Sequence, residues 1–187
     1  MTAREIPKRF RPARPPGSRR WSTGWRVLDL LIAGAVLAGL GALATTGSSP
    51  EAFAGPARAV DGDTLDMLGV RVRLQGIDAP ELYQSCTRQD QPWACGEAAR
   101  AALAGLVAGR RVACTARTRD RYARPVARCT VDDTDLGARL VETGMAVAFG
   151  QSPYRDAQAR ARADRRGIWV GAFQMPADYR AAHPRVP

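Results

Sequence analysis

The sequence predicts an α+β domain: a five-stranded β-barrel of the oligonucleotide-binding type (OB-fold) with about three α-helices, preceded by a single apolar helix. Three observations predict it. Five short segments are bounded by turn residues, three longer segments carry helix start or stop signals, and one apolar run precedes them all. With 45% hydrophobic and 25% charged residues, the 187-residue chain has a globular composition.

The five predicted strands form a group of three and a later pair, at residues 57–61, 64–67, 70–75, 111–117 and 126–131. Gly62 and Gly69 supply the turns within the first group. Because side chains alternate along a strand, Val72 and Arg73 face opposite sides of the third strand. The later pair flanks the turn at 120–124 and is expected to form a hairpin.

Three helices are predicted, at residues 96–108, 135–143 and 152–166, the third from its Ser152-Pro153 start and from Gly167, which ends it. In the first of them, Ala99, Leu103 and Val107 share a face. Gly109 and Gly144 end the first two helices, because glycine readily adopts the left-handed conformation found there.

The chain divides by composition into a basic disordered N-terminus (1–26), an apolar segment (27–46), a linker (47–55), the domain (56–172) and a C-terminal tail (173–187). The apolar segment is close to the lower limit of about 17 residues for a membrane span. A cleaved signal peptide is the alternative, because A-x-A sequences occur at 42–44 and 52–54. The basic and polar flanks disfavour a buried core helix.

The predicted location of the domain is the outer side of a bacterial membrane. Basic residues ahead of the apolar segment keep the N-terminus in the cytoplasm and send the rest across. The protein is then membrane-anchored, with its domain in the periplasm or extracellular space, or secreted after signal cleavage. We favour the anchor because the region ahead of the segment is long for a signal peptide.

Four cysteines suggest two disulfides, because an exported domain folds in an oxidising compartment. A hairpin centred on the 120–124 turn places Cys114 opposite Cys129, close enough to bridge, and leaves Cys86 to pair with Cys95. A four-thiolate zinc site is disfavoured because the chain contains no C-x-x-C pair. Reduced core cysteines are the remaining alternative.

Charge and histidine content narrow the possible chemistry. The net charge of +10 suits a polyanionic partner, although solubility alone also explains a basic chain. The one histidine, His183, lies in the predicted tail. A Ser/His/Asp triad, a histidine-rich zinc site and a histidine general base are therefore excluded, and acid–base chemistry falls to carboxylates, arginine or tyrosine.

Three short stretches concentrate acidic residues and arginines: V-D-G-D-T at 60–64, R-L-Q-G-I-D-A-P-E at 73–81 and D-R-Y-A-R at 120–124. Taken singly, they are a hairpin turn, a loop that begins a helix, and surface ion pairs. Carboxylates can hold a hard cation and activate water, and arginine forks grip phosphate. Together the three stretches supply the parts needed to cleave a phosphodiester.

Residues 57 to about 170 resemble the staphylococcal nuclease (thermonuclease) family. The three stretches, followed by G-M-A at 144–146 and G-I-W at 167–169, occur in the family's order. Each motif alone is weak evidence, but five motifs in the same order over one domain make the resemblance specific. The resemblance implies a Ca²⁺-dependent endonuclease acting on DNA and RNA, with single strands preferred, and we expect a monomer.

The resemblance also implies which residues bind the metal. Asp63 and Asp78 would bind Ca²⁺ directly, together with the backbone carbonyl of Ala79. Asp61 would lie in the outer shell of the ion. Oxygen-only ligation suits a hard cation such as calcium.

The catalytic residues implied by the resemblance are Glu81, Arg73 and Arg124. Glu81 would act as the general base on the attacking water. The two arginines would clamp the scissile phosphate and stabilise the charge that develops on it.

Further residues are expected to contact the substrate. By resemblance, Arg121 and Tyr122 contact the phosphate next to the scissile one. Tyr154 or Phe149 is a candidate for stacking on a base.

Two positions depart from the family pattern. Ala79 stands where the family often has threonine, which leaves a carbonyl ligand unchanged. Ala123 stands where the family usually has glycine. If the turn requires positive φ, alanine strains it and affects the placement of Arg124.

Two other functions compete with the nuclease. A non-catalytic nucleic-acid or partner-binding module could keep the barrel, but the presence of every site residue argues against it. A structural membrane protein explains the apolar segment but not the polar constellation.

Overall fold

The computed structural model describes residue 32 and residues 49–184. The chain divides into two units, Met1–Gly47 and Ser48–Pro187. The predicted basic N-terminus and apolar segment lie outside the described residues, except for Ile32, which is helical and exposed. Among the described residues, no helix has the length and apolar character needed to cross a membrane. The anchor and the signal peptide both stay predictions.

Seven of the strands in the described part of the chain form one sheet. The eleven strands are β1 (Glu51–Pro56), β2 (Arg58–Ala59), β3 (Thr64–Met67), β4 (Val70–Leu74), β5 (Ile77–Asp78), β6 (Cys86–Arg88), β7 (Gln91–Trp93), β8 (Arg111–Arg119), β9 (Pro125–Val131), β10 (Thr134–Asp135) and β11 (Val147–Ala148). The large sheet has the order β1-β8-β9-β4-β3-β2, with β10 beside β9, and β4 and β9 run parallel. Two small sheets pair β5 with β11 and β6 with β7.

The predicted α+β class is confirmed. All five predicted strands are present, as β2, β3, β4, β8 and β9, and they are contiguous in the large sheet. The path through that sheet has two ends, at β1 and β2, rather than closing on itself. An OB-fold barrel is itself partly open, which agrees with this path.

The sheet has an edge strand that was not predicted. The linker expected at 47–55 is wrong for residues 51–55, which belong to β1 and pair antiparallel with β8 from Glu51–Ala116 to Pro56–Arg111. The half-buried Phe53 packs against the core. Alanine and glycine dominate this segment and give a weak strand signal, so its structure depends on the hydrogen-bonding edge that β8 offers.

Four helices follow or separate the strands in the described residues: α1 (Cys95–Val107), α2 (Leu136–Glu142), α3 (Arg155–Ala163) and α4 (Pro176–Ala182). The first three confirm the predicted helices: α1 is shifted by one residue, and α2 and α3 are shorter than predicted. Helix α4 lies in the segment expected to be a tail. It starts with Pro176 at its first turn, where a proline is favourable, and Pro176 is its only buried residue.

The core lies between the sheet and helix α1. Ala99, Leu103 and Val107 are buried on one face of α1, as predicted. They belong to one apolar cluster with sheet residues such as Leu65 and Val72, both fully buried. Burial of these side chains is the main stabilising contribution and fixes α1 beside the turn that precedes β3.

Both predicted disulfides are present, so the zinc and reduced-thiol alternatives are wrong. Cys114 lies directly opposite Cys129 in the β8–β9 hairpin, and the two are joined. Cys86 of β6 is joined to Cys95, the first residue of α1. The second bridge ties the loop that follows β5 to the start of α1.

Candidate active site

Two nearly fully buried carboxylates share one arginine at the end of the short strand β5. Asp63 and Asp78 retain 4% and 1% of their accessible surface. Arg73 of β4 donates from Nη1 to Asp63 Oδ1 at 2.8 Å and from Nη2 to Asp78 Oδ1 at 2.7 Å. A single guanidinium fork therefore joins two acidic residues from different parts of the chain.

The β3–β4 hairpin brings Asp63 and Arg73 together. Thr64, the first residue of β3, pairs with Arg73 across the hairpin, so the residue before it lies beside the arginine. The carbonyl of Asp63 also accepts a hydrogen bond from Leu74 N at 2.8 Å. Residues 63 and 73, which are ten positions apart in the sequence, are therefore neighbours because β3 pairs with β4.

Close packing at Gly62 lets this hairpin approach its neighbours. A Cβ at Gly62 would lie 2.6 Å from the Cβ of Ala79 and 2.8 Å from the Cβ of Ala99. Glycine is therefore required for the turn to pack against both helix α1 and the loop after β5. The backbone N–H of Ala79 then donates to Asp63 Oδ2 at 3.2 Å.

The environment of Asp63 leaves its negative charge poorly compensated. Burial raises its pKa to about 7, and the nearby Asp61 and Asp78 act in the same direction. Arg73 and the N–H of Ala79 oppose this rise without cancelling it. Burial lowers the pKa of Arg73, but Asp63 and Asp78 outweigh it and leave that pKa above its ordinary value.

Glu81 lies three residues after Asp78, in a turn held by its backbone. Its N–H donates to Gln84 Oε1 at 3.1 Å, and Gln84 N donates back to the Glu81 carbonyl at 2.7 Å. A Cβ at Gly96 would collide with that same carbonyl oxygen, so glycine is needed at the start of α1. The Glu81 side chain remains 19% exposed, within reach of solvent.

Asp61 lies beside the cluster, close to Asp63. Its Oδ1 accepts a hydrogen bond from the backbone N–H of Asp63 at 3.0 Å. This contact closes the turn that carries Asp63 and adds a second negative charge close to it.

Arg124 is held by the turn that precedes β9. Its Nε donates to Asp120 Oδ2 at 2.7 Å, and its backbone N–H donates to Asp120 Oδ1 at 3.0 Å. Burial acts to raise the pKa of Asp120, but these hydrogen bonds and one from Tyr122 N outweigh it and lower the pKa. The guanidinium of Arg124 is thus paired with Asp120 and not with the buried carboxylates.

Arg124 nevertheless lies near Arg73 along the sheet. Strands β4 and β9 are parallel neighbours, with Arg73 in register with Val126. Arg124 stands two residues before Val126, in the turn that leads into β9. The sheet therefore brings the backbones of the two predicted arginines to neighbouring positions.

Ala123, which stands where the resembled family usually has glycine, adopts a conformation that glycine favours. Its φ is 61°, in the left-handed region that costs an L-residue about 1–2 kcal/mol. The neighbouring Tyr122 is 65% exposed, and the guanidinium of Arg121 lies 4.9 Å from its ring centroid. These two predicted substrate contacts form an exposed pair at the tip of the turn.

Tyr154 is not available for stacking on a base. It is 9% exposed, and its hydroxyl lies 3.0 Å from both carboxylate oxygens of Asp135. Burial first, and then Asp135, raise its pKa above the ordinary range. Phe149, the other candidate, is 52% exposed.

The sequence analysis missed Arg180 of helix α4. Its Nη1 and Nη2 donate to Asp78 Oδ1 and Oδ2, each at 2.9 Å, and Nη1 also lies 3.0 Å from Glu81 Oε1. The hydrogen bond to Asp78 is the largest cause of a pKa well above the usual arginine value, against the opposing effect of burial. No motif marks this arginine, which stands alone in a short segment without apolar periodicity.

The donors at this site suit a hard cation. Within the described ranges, 32 and 49–184, no group of three or more His, Cys, Asp or Glu side chains is arranged for a metal ion. The predicted set is instead two carboxylates, Asp63 and Asp78, and the backbone carbonyl of Ala79. All three donor atoms are oxygen, which fits calcium rather than a thiophilic metal. Burial also raises the pKa of Asp63, so a bound cation would supply positive charge that this carboxylate lacks.

Comparison with known proteins identifies relatives over this region. The family model described as staphylococcal nuclease homologue matches residues 71–171. The succinoglycan biosynthesis protein ExoI of Rhizobium meliloti is 38% identical over 142 residues, covering 73% of this chain and 74% of that protein. An uncharacterized endonuclease of Escherichia coli O157:H7 is 33% identical over 128 residues, covering 64% of this chain and 78% of its own.

We expect the thermal stability of the metal-free chain to fall as the pH rises from 5 to 7.5. The folded pKa of Asp63 is raised to about 7 from 3.8. The folded state therefore binds the extra proton, and its stabilisation is lost as the pH rises through this window. The slope reaches at most about 1.4 kcal/mol per pH unit. Calorimetry in chelator measures it.

The Asp63→Asn variant is the control for this pH dependence. The chain has one histidine, so few other side chains titrate between pH 5 and 7.5. The variant should show a much flatter profile than the native chain. A native stability that is level or rises across this range contradicts the assignment to Asp63.

Ala123→Gly should stabilise the protein by about 1 kcal/mol, because glycine adopts positive φ without the penalty that alanine meets. Urea denaturation measures the change. Ala113→Gly in strand β8 is the matched control, and it should destabilise by roughly 0.5–1 kcal/mol, since alanine is unstrained there. Destabilisation by both variants would show that the 120–124 turn is not strained.

Proposed function

The chain belongs to the family of staphylococcal nuclease homologues, and we propose that it is a Ca²⁺-dependent endonuclease that hydrolyses DNA and RNA. Family membership and relatives named endonuclease indicate a nuclease that acts on nucleic acid. The observation that carries the finer proposal is the pair Asp63 and Asp78, joined by Arg73 beside Glu81. This arrangement combines acidic oxygen donors, a guanidinium and a carboxylate within reach of water.

The proposed metal ligands are Asp63, Asp78 and the carbonyl of Ala79, with Asp61 outside them. Bound there, calcium would supply the positive charge that orients the phosphate and polarises its oxygen. The ligands are positioned before any ion arrives, because Arg73, Thr64 and the N–H of Ala79 hold the Asp63 carboxylate at 2.8, 3.1 and 3.2 Å. Preorganised donors of this kind lose little entropy on binding.

Glu81 is the proposed general base. It accepts the proton of a water that attacks phosphorus, while the bond to the leaving oxygen breaks. The turn closed by Gln84 and the close approach of Gly96 fix its backbone next to Asp78. Its partly exposed side chain supports access to water, which a fully buried carboxylate would lack.

Arg73 and Arg124 are the proposed phosphate clamps. Arg73 lies in β4 and Arg124 immediately precedes β9, the parallel neighbour of β4, and each contacts carboxylates through a fork that also fits phosphate. Removing one such donor typically reduces the rate by about 10²–10³-fold. The exposed pair Arg121 and Tyr122 extends this surface and offers an aromatic face to unpaired bases, which supports a preference for single strands.

We further propose that the nuclease works outside the cytoplasm, held by segment 27–46 or secreted after its removal. Two disulfides in the described domain support an oxidising compartment. The chain would then act on extracellular or periplasmic nucleic acid as a monomer.

Glu81→Gln should reduce calcium-dependent cleavage of denatured DNA by about 10²–10⁴-fold, because glutamine cannot accept the proton. Digestion of a labelled strand by the full chain, with Ca²⁺ or with chelator, measures the effect. Glu97→Gln, the same change at an exposed position of α1, is the matched control and should cut at the native rate. A native protein that binds the strand without cutting it would support a binding module instead.

A further inference from the structure

Helix α4 places a positive charge on the groups that the proposed chemistry needs. Arg180 covers both carboxylate oxygens of Asp78 and one oxygen of Glu81, at 2.9 to 3.0 Å. In the proposed function, which this inference rests on, Asp78 is a metal ligand and Glu81 is the base. Arg180 occupies both carboxylate oxygens of Asp78, so a metal ion cannot bind these oxygens in the same way while Arg180 is there.

The segment that precedes helix α4 and Arg180 is hydrogen-bonded to residues that follow Glu81 in the sequence. The fully buried side chain of Gln84 donates from Nε2 to the carbonyl of Gln174 at 2.7 Å, and Thr87 N donates to the carbonyl of Ala172 at 2.8 Å. Gln84 also holds the backbone of Glu81. The same residue therefore anchors both the proposed base and the segment that delivers Arg180.

Arg180 is the arginine that can leave the cluster most easily. Its side chain is 36% exposed, compared with 20% for Arg73, which is also held between two carboxylates. Withdrawal moves the guanidinium from a carboxylate to water and leaves the anchored backbone unchanged. The buried Asp78 carboxylate is not left unpaired in this exchange, because the divalent ion replaces the positive charge that Arg180 removes.

We propose that Arg180 is a built-in competitor of the calcium ion. In the metal-free protein it neutralises Asp78 and Glu81, and it withdraws when calcium binds to Asp78. Arg180 therefore weakens calcium affinity, and its contact with Glu81 Oε1 is lost when the metal binds. The C-terminal helix thereby opposes metal binding.

Calcium titration of the full chain by isothermal calorimetry tests this proposal. Arg180→Gln should bind calcium about tenfold more tightly than the native chain. Arg180→Lys keeps the positive charge but loses the planar fork, so its calcium affinity should lie between those of the native chain and Arg180→Gln. If the glutamine variant does not fold, the lysine variant provides the test. Arg160→Gln removes the same charge from an exposed position of α3 and should leave the affinity unchanged.

Each other outcome overturns the inference in a distinguishable way. Equal or weaker calcium binding by Arg180→Gln shows that the arginine does not compete with the metal. If that variant also binds a single-stranded oligonucleotide more weakly, Arg180 is a phosphate contact. If neither the native chain nor the variant binds calcium, the proposed function fails, and this inference fails with it.

Discussion

The bridge that Arg73 makes between Asp63 and Asp78 is the contact on which the rest of the site depends. Two carboxylates with less than one-twentieth of their surface exposed would be strongly unfavourable without positive charge beside them. The bridge supplies one positive charge for two negative ones. Burial still raises the pKa of Asp63 in spite of this bridge, and a divalent ion would supply the positive charge that the carboxylate lacks.

The fold is organised to hold that unfavourable cluster in place. The β3–β4 hairpin aligns Asp63 with Arg73, and the apolar face of α1 presses Ala99 against the turn at Gly62. The Cys86–Cys95 bridge fixes the loop after β5 to the first residue of α1. Stability contributed by the core and the disulfides thus offsets the cost of burying charge, as is common where a site is built for function.

Local sequence signals predicted most of the fold, because strand alternation, helical spacing and glycine turns act over a few residues. The Cys114–Cys129 bridge followed from hairpin geometry. The positive φ of Ala123 was suggested only by the glycine that the resembled family usually has at that position. Strand β1 was missed because its pairing is provided by β8, far along the chain. Arg180 was missed because its contact with Asp78 joins residues 102 positions apart, and its short helix has no apolar stripe.

The central claim is that the buried carboxylates form a cation site which arginine fills in the absence of metal. A crystal structure of the full chain grown with calcium tests it most directly. The account predicts an ion bound by Asp63, Asp78 and the Ala79 carbonyl, with the Arg180 guanidinium turned out to solvent. Arg180 still paired with both oxygens of Asp78 at saturating calcium, and no ion between the two aspartates, would contradict it.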